Sequence, residues 1–182
     1  MLGAIPWILV LVLLPASAAA DEKLWSLLKA GGQVVLIRHT ITTPGAGDPP
    51  GMRLDDCSTQ RNLTDAGRQH ARRIGEEWRK RGLPVERVLS SPWCRCLETA
   101  RLAFGKAEIS EALGNLFGRS ENSERQVREM RALVSRHAGK ANLVLVSHGS
   151  TISALTGISP GTGEMVVLSK GAVAGRLSVP ED

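Results

Sequence analysis

The sequence predicts a three-layer α/β/α domain with a mainly parallel sheet. Two observations carry this. Helix-like and strand-like segments alternate along the chain, which is the pattern of a parallel sheet covered by helices. Two apolar runs, "QVVLIR" and "ANLVLVS", are continuous, as in strands buried on both faces.

The elements follow in order. "DEKLWSLLKA" from Asp21 to Ala30 reads as a short helix, with Leu24, Leu27 and Leu28 on one face and Gly31-Gly32 stopping it. "QVVLIR" is the first strand. Residues 41–62, rich in Gly, Pro, Asp and Thr, form a long loop of the kind that often carries function. "LTDAGRQHARRIGEEWRKRG" is the clearest helix. Thr64 is its N-cap, Asp65 suits its positive start, Ala71, Ile74 and Trp78 mark the buried face, and Gly82 with Pro84 ends it. "VERVLSS" is a second strand. "PWCRCLETARLAF" is a helix to about Phe104, with Pro92 expected as its first residue. Residues 107–120 look irregular. Ser123 to His137 is a polar helix with Val127, Met130 and Val134 inward. "ANLVLVS" is the third buried strand, and "HGSTISALTG" a turn into a short helix ended by Gly157. "GEMVVLSKGAVAGRLSV" gives two closing strands joined through Lys170-Gly171. There are no repeats and no sign of a second domain.

Residues 1–20 stand apart. An apolar block from Ile5 to Leu14 leads to Pro15 and then to Ala18-Ala19-Ala20, an A-x-A cleavage pattern that starts the mature chain at Asp21. The block is short of the ~20 residues needed to span a bilayer. No Lys or Arg precedes it, so an uncleaved anchor is the alternative to a signal peptide. The expectation is export to a bacterial periplasm, no stable membrane span after processing, and one domain over 21–182. In that compartment Cys57 should pair with Cys94 or Cys96, since residues two apart rarely reach each other in disulfide geometry. A zinc site lacks both a C-x-x-C and a nearby histidine pair.

Of the 182 residues 42% are hydrophobic, which argues against long disorder. The net charge of +5 favours anionic partners. Nucleic acid is disfavoured, because two Phe, no Tyr and helix-face Trp offer no stacking platform.

In a sheet of this kind ligands bind at the carboxyl ends of the strands. The first strand ends on Arg38-His39. The second ends on Ser90-Ser91, with Arg95 one helical turn later. The third ends on Ser147-His148-Gly149. Two histidines and two arginines, more than a hundred residues apart, should therefore share one edge. A neutral imidazole can attack phosphorus. Arginine forks neutralise the charge spread over the phosphoryl oxygens. A second histidine, protonated, adds a donor, and helix starts after Ser91 and His148 add N–H groups. The chemistry calls for no metal or cofactor.

The motifs "LIRHT", "LTDAGRQHA", "SSPWCRCLETA" and "LVSHGSTI" together resemble the histidine phosphatase superfamily, in its phosphoglycerate mutase-like branch. The resemblance runs from about Gln33 to Leu168. It implies His39 as nucleophile and Arg38, Arg95 and His148 as phosphoryl-binding groups, with the loop residue Arg53 as a further candidate and Thr42 and Ser91 as neighbours. The exported form, with "GEMVVL", is similar to small periplasmic members, including the Ais-like proteins associated with lipopolysaccharide core heptose phosphate. A small phosphorylated substrate, a sugar or lipopolysaccharide phosphate among the options, is the partner implied.

One departure stands out. Many members carry a glutamate acid in a pattern like L-x-E-x-x-x-G, and here "LGNLFGR" puts Asn115 at that place. An amide is no proton donor of the usual kind. Asp48, Asp55 and Glu164 are the substitutes, and Glu164 also reads as an ordinary carboxylate paired with an arginine. His70 is expected to face solvent and His137 to close a helix. The leading expectation is an exported, metal-independent phosphomonoesterase. The alternatives are a catalytically weak anion-binding protein on the same fold and a phosphohistidine-specific phosphatase, which an export signal disfavours. A mutase is disfavoured too, because its substrates are cytoplasmic.

Overall fold

The structure, a computed structural model, describes residues 16–118 and 123–181. Within these residues six strands form one sheet: β1 (Val34–Arg38), β2 (Val85–Ser90), β3 (Glu108–Ile109), β4 (Asn142–Ser147), β5 (Met165–Ser169) and β6 (Ala172–Leu177). Their spatial order is β3-β2-β4-β1-β5-β6. β3, β2, β4 and β1 run parallel, and β5 and β6 close the sheet antiparallel. Among the described residues five helices accompany it: α1 (Ala16–Ala30), α2 (Asp65–Lys80), α3 (Cys94–Phe104), α4 (Ser123–Arg136) and α5 (Gly149–Thr156).

Alternate residues of the central strands feed two cores, because successive side chains of a strand point to opposite faces. Val35 and Ile37 of β1 join Val144 and Val146 of β4 in a core with Leu24, Trp25 and Leu28 of α1, Ile74 and Trp78 of α2, and Ala100 and Ala103 of α3. Val34 and Leu36 join Leu143 and Leu145 in a second core with Met130 of α4 and Ile152 of α5. This is the three-layer arrangement. Fully burying aliphatic side chains of this size contributes about 1.5–3 kcal/mol each.

Local chemistry sets the boundaries. Thr64 caps α2 by accepting from the N–H of Gly67. A Cβ on Gly67 would overlap the Ile41 carbonyl, and one on Gly75 would overlap the Ala103 carbonyl, so α2 lies hard against the long loop and α3. Gly105 and Gly157 end α3 and α5 in left-handed conformation. Lys170 and Gly171, both at positive φ, make the two-residue turn between β5 and β6.

Four local expectations need amending. Helix α1 starts at Ala16, so the expected cleavage point after Ala20 falls inside it, while the apolar block of residues 5–14 lies outside the described residues. Pro92 precedes α3, whose N-cap is Trp93. The stretch 107–120 contains strand β3 and a 3-10 turn at Glu111–Leu113, held because Ser110 N–H donates to Ser90. His70 is buried, not solvent-facing: its Nε2 bonds the Val179 carbonyl because the C-terminal segment folds over α2. Among the described residues no helix is long and apolar enough to cross a membrane.

Candidate active site

The register of the central strands builds the site. Arg38 pairs with Ser147 across β1 and β4, and Ser90 with Val146 across β2 and β4. The three strands therefore end level. The ladder continues one residue further, with His39 N–H donating to Ser147 and Ser91 N–H to Val146, each at 2.9 Å. His39 and His148 are thus delivered side by side, with ring centroids 5.4 Å apart. Arg95 comes from the first turn of α3 and is almost wholly enclosed, at 1% exposure.

Hydrogen bonds fix both tautomers. Nδ1 of His39 lies 2.9 Å from the Thr40 carbonyl oxygen, which can only accept, so Nδ1 carries the proton and Nε2 keeps its lone pair. Thr40 is itself held: its Oγ1 donates to Gly67 O at 2.8 Å and its N–H to Thr99 Oγ1 at 3.2 Å. In His148, Nδ1 faces an Arg95 N–H at 3.4 Å and so accepts, which leaves Nε2–H to donate to Ser91 Oγ at 2.8 Å.

Burial first, then the positive fields of Arg95, Arg38 and Arg61, push the pKa of His39 down to about 3, against the Thr40 hydrogen bond, which raises it. Burial, His39 and the same arginines hold His148 well below the ordinary histidine range. Both rings are neutral at pH 7. The expected protonated second histidine is not what these surroundings favour; a dianion beside it would reverse the field that acts on it.

The other candidates are placed as follows. Arg38 donates from one terminal nitrogen to Pro160 O at 2.9 Å. A Cβ on Gly149 would come within 3.4 Å of the Arg38 guanidinium, so this glycine leaves the room that Arg38 occupies. Asp48 reaches the site, but as a counter-ion. Its two oxygens accept from the two terminal nitrogens of Arg95 at 2.6 and 3.1 Å, from the Trp93 indole N–H at 3.0 Å and from the Arg61 N–H at 3.2 Å. Burial raises its pKa, but the hydrogen bond and charge of Arg95 outweigh this and hold it below the usual carboxylate value. A carboxylate so held has no proton to give. Glu164 lies outside the cluster, both oxygens bonded to Arg176 at 2.6 and 2.7 Å and one also to Gly161 N–H. Arg53 is exposed and paired with Asp56 at 2.9 Å and Asp55 at 3.5 Å. Asp55 is exposed in the same loop. Asn115 has its Oδ1 bonded by Ser150 Oγ at 2.9 Å and Phe117 N–H at 3.1 Å.

Sequence reasoning missed Arg61. It sits at the end of the long loop, where the Thr42–Leu63 bridge folds the loop back, and its field reaches both histidines. The signal was "QRNLT" directly before the α2 cap, read only as loop. The loop is tied down by a disulfide between Cys57 and Cys94, beside Arg95. Cys96 is free and buried; burial pushes its thiol up to about 12, so it stays protonated against His148. Among the described residues no group of His, Cys, Asp and Glu is arranged to hold a metal ion.

Level strand ends, paired imidazoles and clustered arginines on an α/β sheet define a phosphoglycerate mutase-like fold with a positively charged edge. The description "Histidine phosphatase superfamily (branch 1)" matches residues 34–116, which contain β1, the long loop, α2, β2 and α3. Over that stretch the chain is similar to the histidine phosphatase superfamily. Solved structures share its fold. A phosphoserine phosphatase from Entamoeba histolytica, in complex with 3-phosphoglyceric acid, is 16% identical at a TM-score of 0.61, covering 82% of this chain and 98% of its own. An open reading frame product from Mycobacterium tuberculosis is 18% identical at 0.60, covering 78% and 93%. The protein histidine phosphatase SixA, complexed with tungstate, is 20% identical at 0.55, covering 80% and 96%. No curated protein matches by sequence.

Proposed function

We propose that this protein is an exported phosphomonoesterase that works through a phosphohistidine on His39. The observation that carries the reading is the Thr40 carbonyl at Nδ1, which leaves Nε2 of a neutral imidazole unprotonated among guanidinium groups. In the first step Nε2 attacks phosphorus and the P–O bond to the leaving group breaks. Arg38 and Arg95 bind the phosphoryl oxygens as charge spreads over them, and His148 joins them from Nδ1 when the dianion's field lets it take up a proton. In the second step a water oxygen attacks phosphorus and the N–P bond breaks. Inorganic phosphate leaves, and the water supplies the proton that the released alcohol gains. No metal enters these steps.

Export to the periplasm is part of the proposal. It rests on residues 1–20 and is supported by the Cys57–Cys94 disulfide, which suits an oxidising compartment. Cleavage after Ala20 would remove the first residues of α1 and spare Leu24, Trp25 and Leu28, its core contacts. Small phosphorylated compounds are the substrate class, in keeping with the phosphoglycerate bound by the Entamoeba neighbour. A lipopolysaccharide sugar phosphate is the finer suggestion, resting on the sequence resemblance. The second reading, an anion-binding protein with little turnover, is favoured by Asn115 and by the engagement of Asp48 and Glu164 in ion pairs.

Turnover of para-nitrophenyl phosphate with chelator present, beside the His39→Ala variant, decides between them. The expected result is chelator-resistant activity that falls more than about 10³-fold in the variant. Equal activity in both proteins sinks the phosphohistidine route, and none in either moves the protein to the binding reading.

A further inference from the structure

Three arginines at the site share one arrangement. Arg38, Arg61 and Arg95 each have a terminal nitrogen tied to a protein acceptor: Pro160 O at 2.9 Å, Gly45 O at 2.8 Å and Asp48 Oδ1 at 2.6 Å. Each also has a buried Nε–H with no hydrogen-bond partner. A buried charged donor without an acceptor is costly, and native sites keep such groups for a ligand or a solvent molecule. One orphan alone would carry little, since Arg73 has one as well. Three around the same pair of imidazoles are different. Arg95 contacts His148 Nδ1 and the Arg61 carbonyl, Arg38 packs on Gly149 beside His148, and all three fields reach His39.

The charges add a second constraint. Three guanidinium groups, one Asp48 carboxylate and two neutral histidines leave the cluster with two positive charges. That matches the dianion of a phosphomonoester. Asp48 is the only carboxylate among the groups described around the arginines, and it takes both terminal nitrogens of Arg95.

We propose that Arg61 is a third phosphoryl-binding arm beside Arg38 and Arg95, and that Asp48 is the positioning residue that fixes Arg95 and trims the cluster to fit a dianion. This rests on the phosphoryl site of the proposed function but adds a residue, a grip through the Nε edges, and a charge rule for the ligand.

The test is titration calorimetry of the full-length protein with inorganic phosphate and with pyrophosphate at pH 7.5. Arg61→Met should weaken phosphate at least tenfold. Arg61→Lys, which keeps the charge but cannot both hold Gly45 O and donate from an Nε, should fall between. Asp48→Asn keeps the shape and removes the charge. It should raise the preference for the more highly charged pyrophosphate over phosphate at least fivefold, whereas a merely structural loss would weaken both ligands alike. Phosphate affinity within twofold of wild type in folded Arg61→Met overturns the third arm, and if that variant does not fold, full affinity in Arg61→Lys does so. An unchanged ligand ratio in Asp48→Asn overturns the charge rule, and a wild-type protein that binds no phosphate overturns both. Phosphate binding that depends on Arg61 in a protein without turnover supports the three arms while sinking the phosphatase reading, so the two fail separately.

Discussion

The imidazoles of His39 and His148 meet edge to face, 5.4 Å between centroids and 67° between planes, although 109 positions separate them in sequence. Both are buried, at 3% and 2% exposure, and both are surrounded by positive charge. Neutral rings can sit this close; two imidazolium ions could not.

That pair makes stability depend on pH. Unfolded histidines take up a proton below about 6.5. Folded His39 does so only near 3, and folded His148 is shifted the same way. The unfolded state therefore binds more protons in this window, and stability rises with pH there. The contribution is complete above pH 6.5; that of His39 is lost as pH falls toward 3, and that of His148 is lost in the same direction. Urea unfolding at pH 7, 6, 5 and 4.5 should show this slope, and His39→Gln should reduce it, leaving the His148 contribution. A stability flat across that range would refute it.

The engagement of Asp48 and Glu164 in ion pairs predicts a leaving group that departs without help from either. Turnover should drop steeply from aryl phosphates to alkyl phosphates as leaving-group basicity rises. Glu164→Gln should leave aryl phosphate turnover within about twofold, since Glu164 lies outside the cluster, bound to Arg176 and the Gly161 N–H. A shallow dependence on leaving-group pKa would mean that another residue supplies the proton.

The disulfide closes the chain between Cys57 and Cys94, 37 positions apart, and holds the long loop to the start of α3. On chain entropy alone it is worth up to about 4 kcal/mol. Serine at both positions should lower stability by several kcal/mol and weaken phosphate binding, because Arg95 is the next residue. Calorimetric melting with and without reductant checks this, and an unchanged melting temperature would contradict it.

Gly75 of α2 faces the backbone of α3. A Cβ there would lie 2.7 Å from the Ala103 carbonyl carbon, and backbone cannot swing aside as a side chain can. Gly75→Ala should therefore cost about 1–3 kcal/mol despite alanine's better helix propensity. A variant as stable as wild type would show that the two helices part easily.

The sequence alone determined the buried strands, the Thr64 cap and the α2 face, because period and capping are local properties. It also placed Arg38, His39 and His148 at strand ends and Arg95 one helical turn beyond another, because a parallel sheet aligns those ends whatever the loops do. Tertiary structure decided the rest. His70 became a core residue only when the C-terminal segment reached α2 and the Val179 carbonyl met its ring. Arg61 entered the site only because its loop folds back through the Thr42–Leu63 bridge. Asp48 is a counter-ion because Arg95, 47 positions away, meets it with both terminal nitrogens. A carboxylate's charge state depends on which donors surround it, and those donors come from distant parts of the chain.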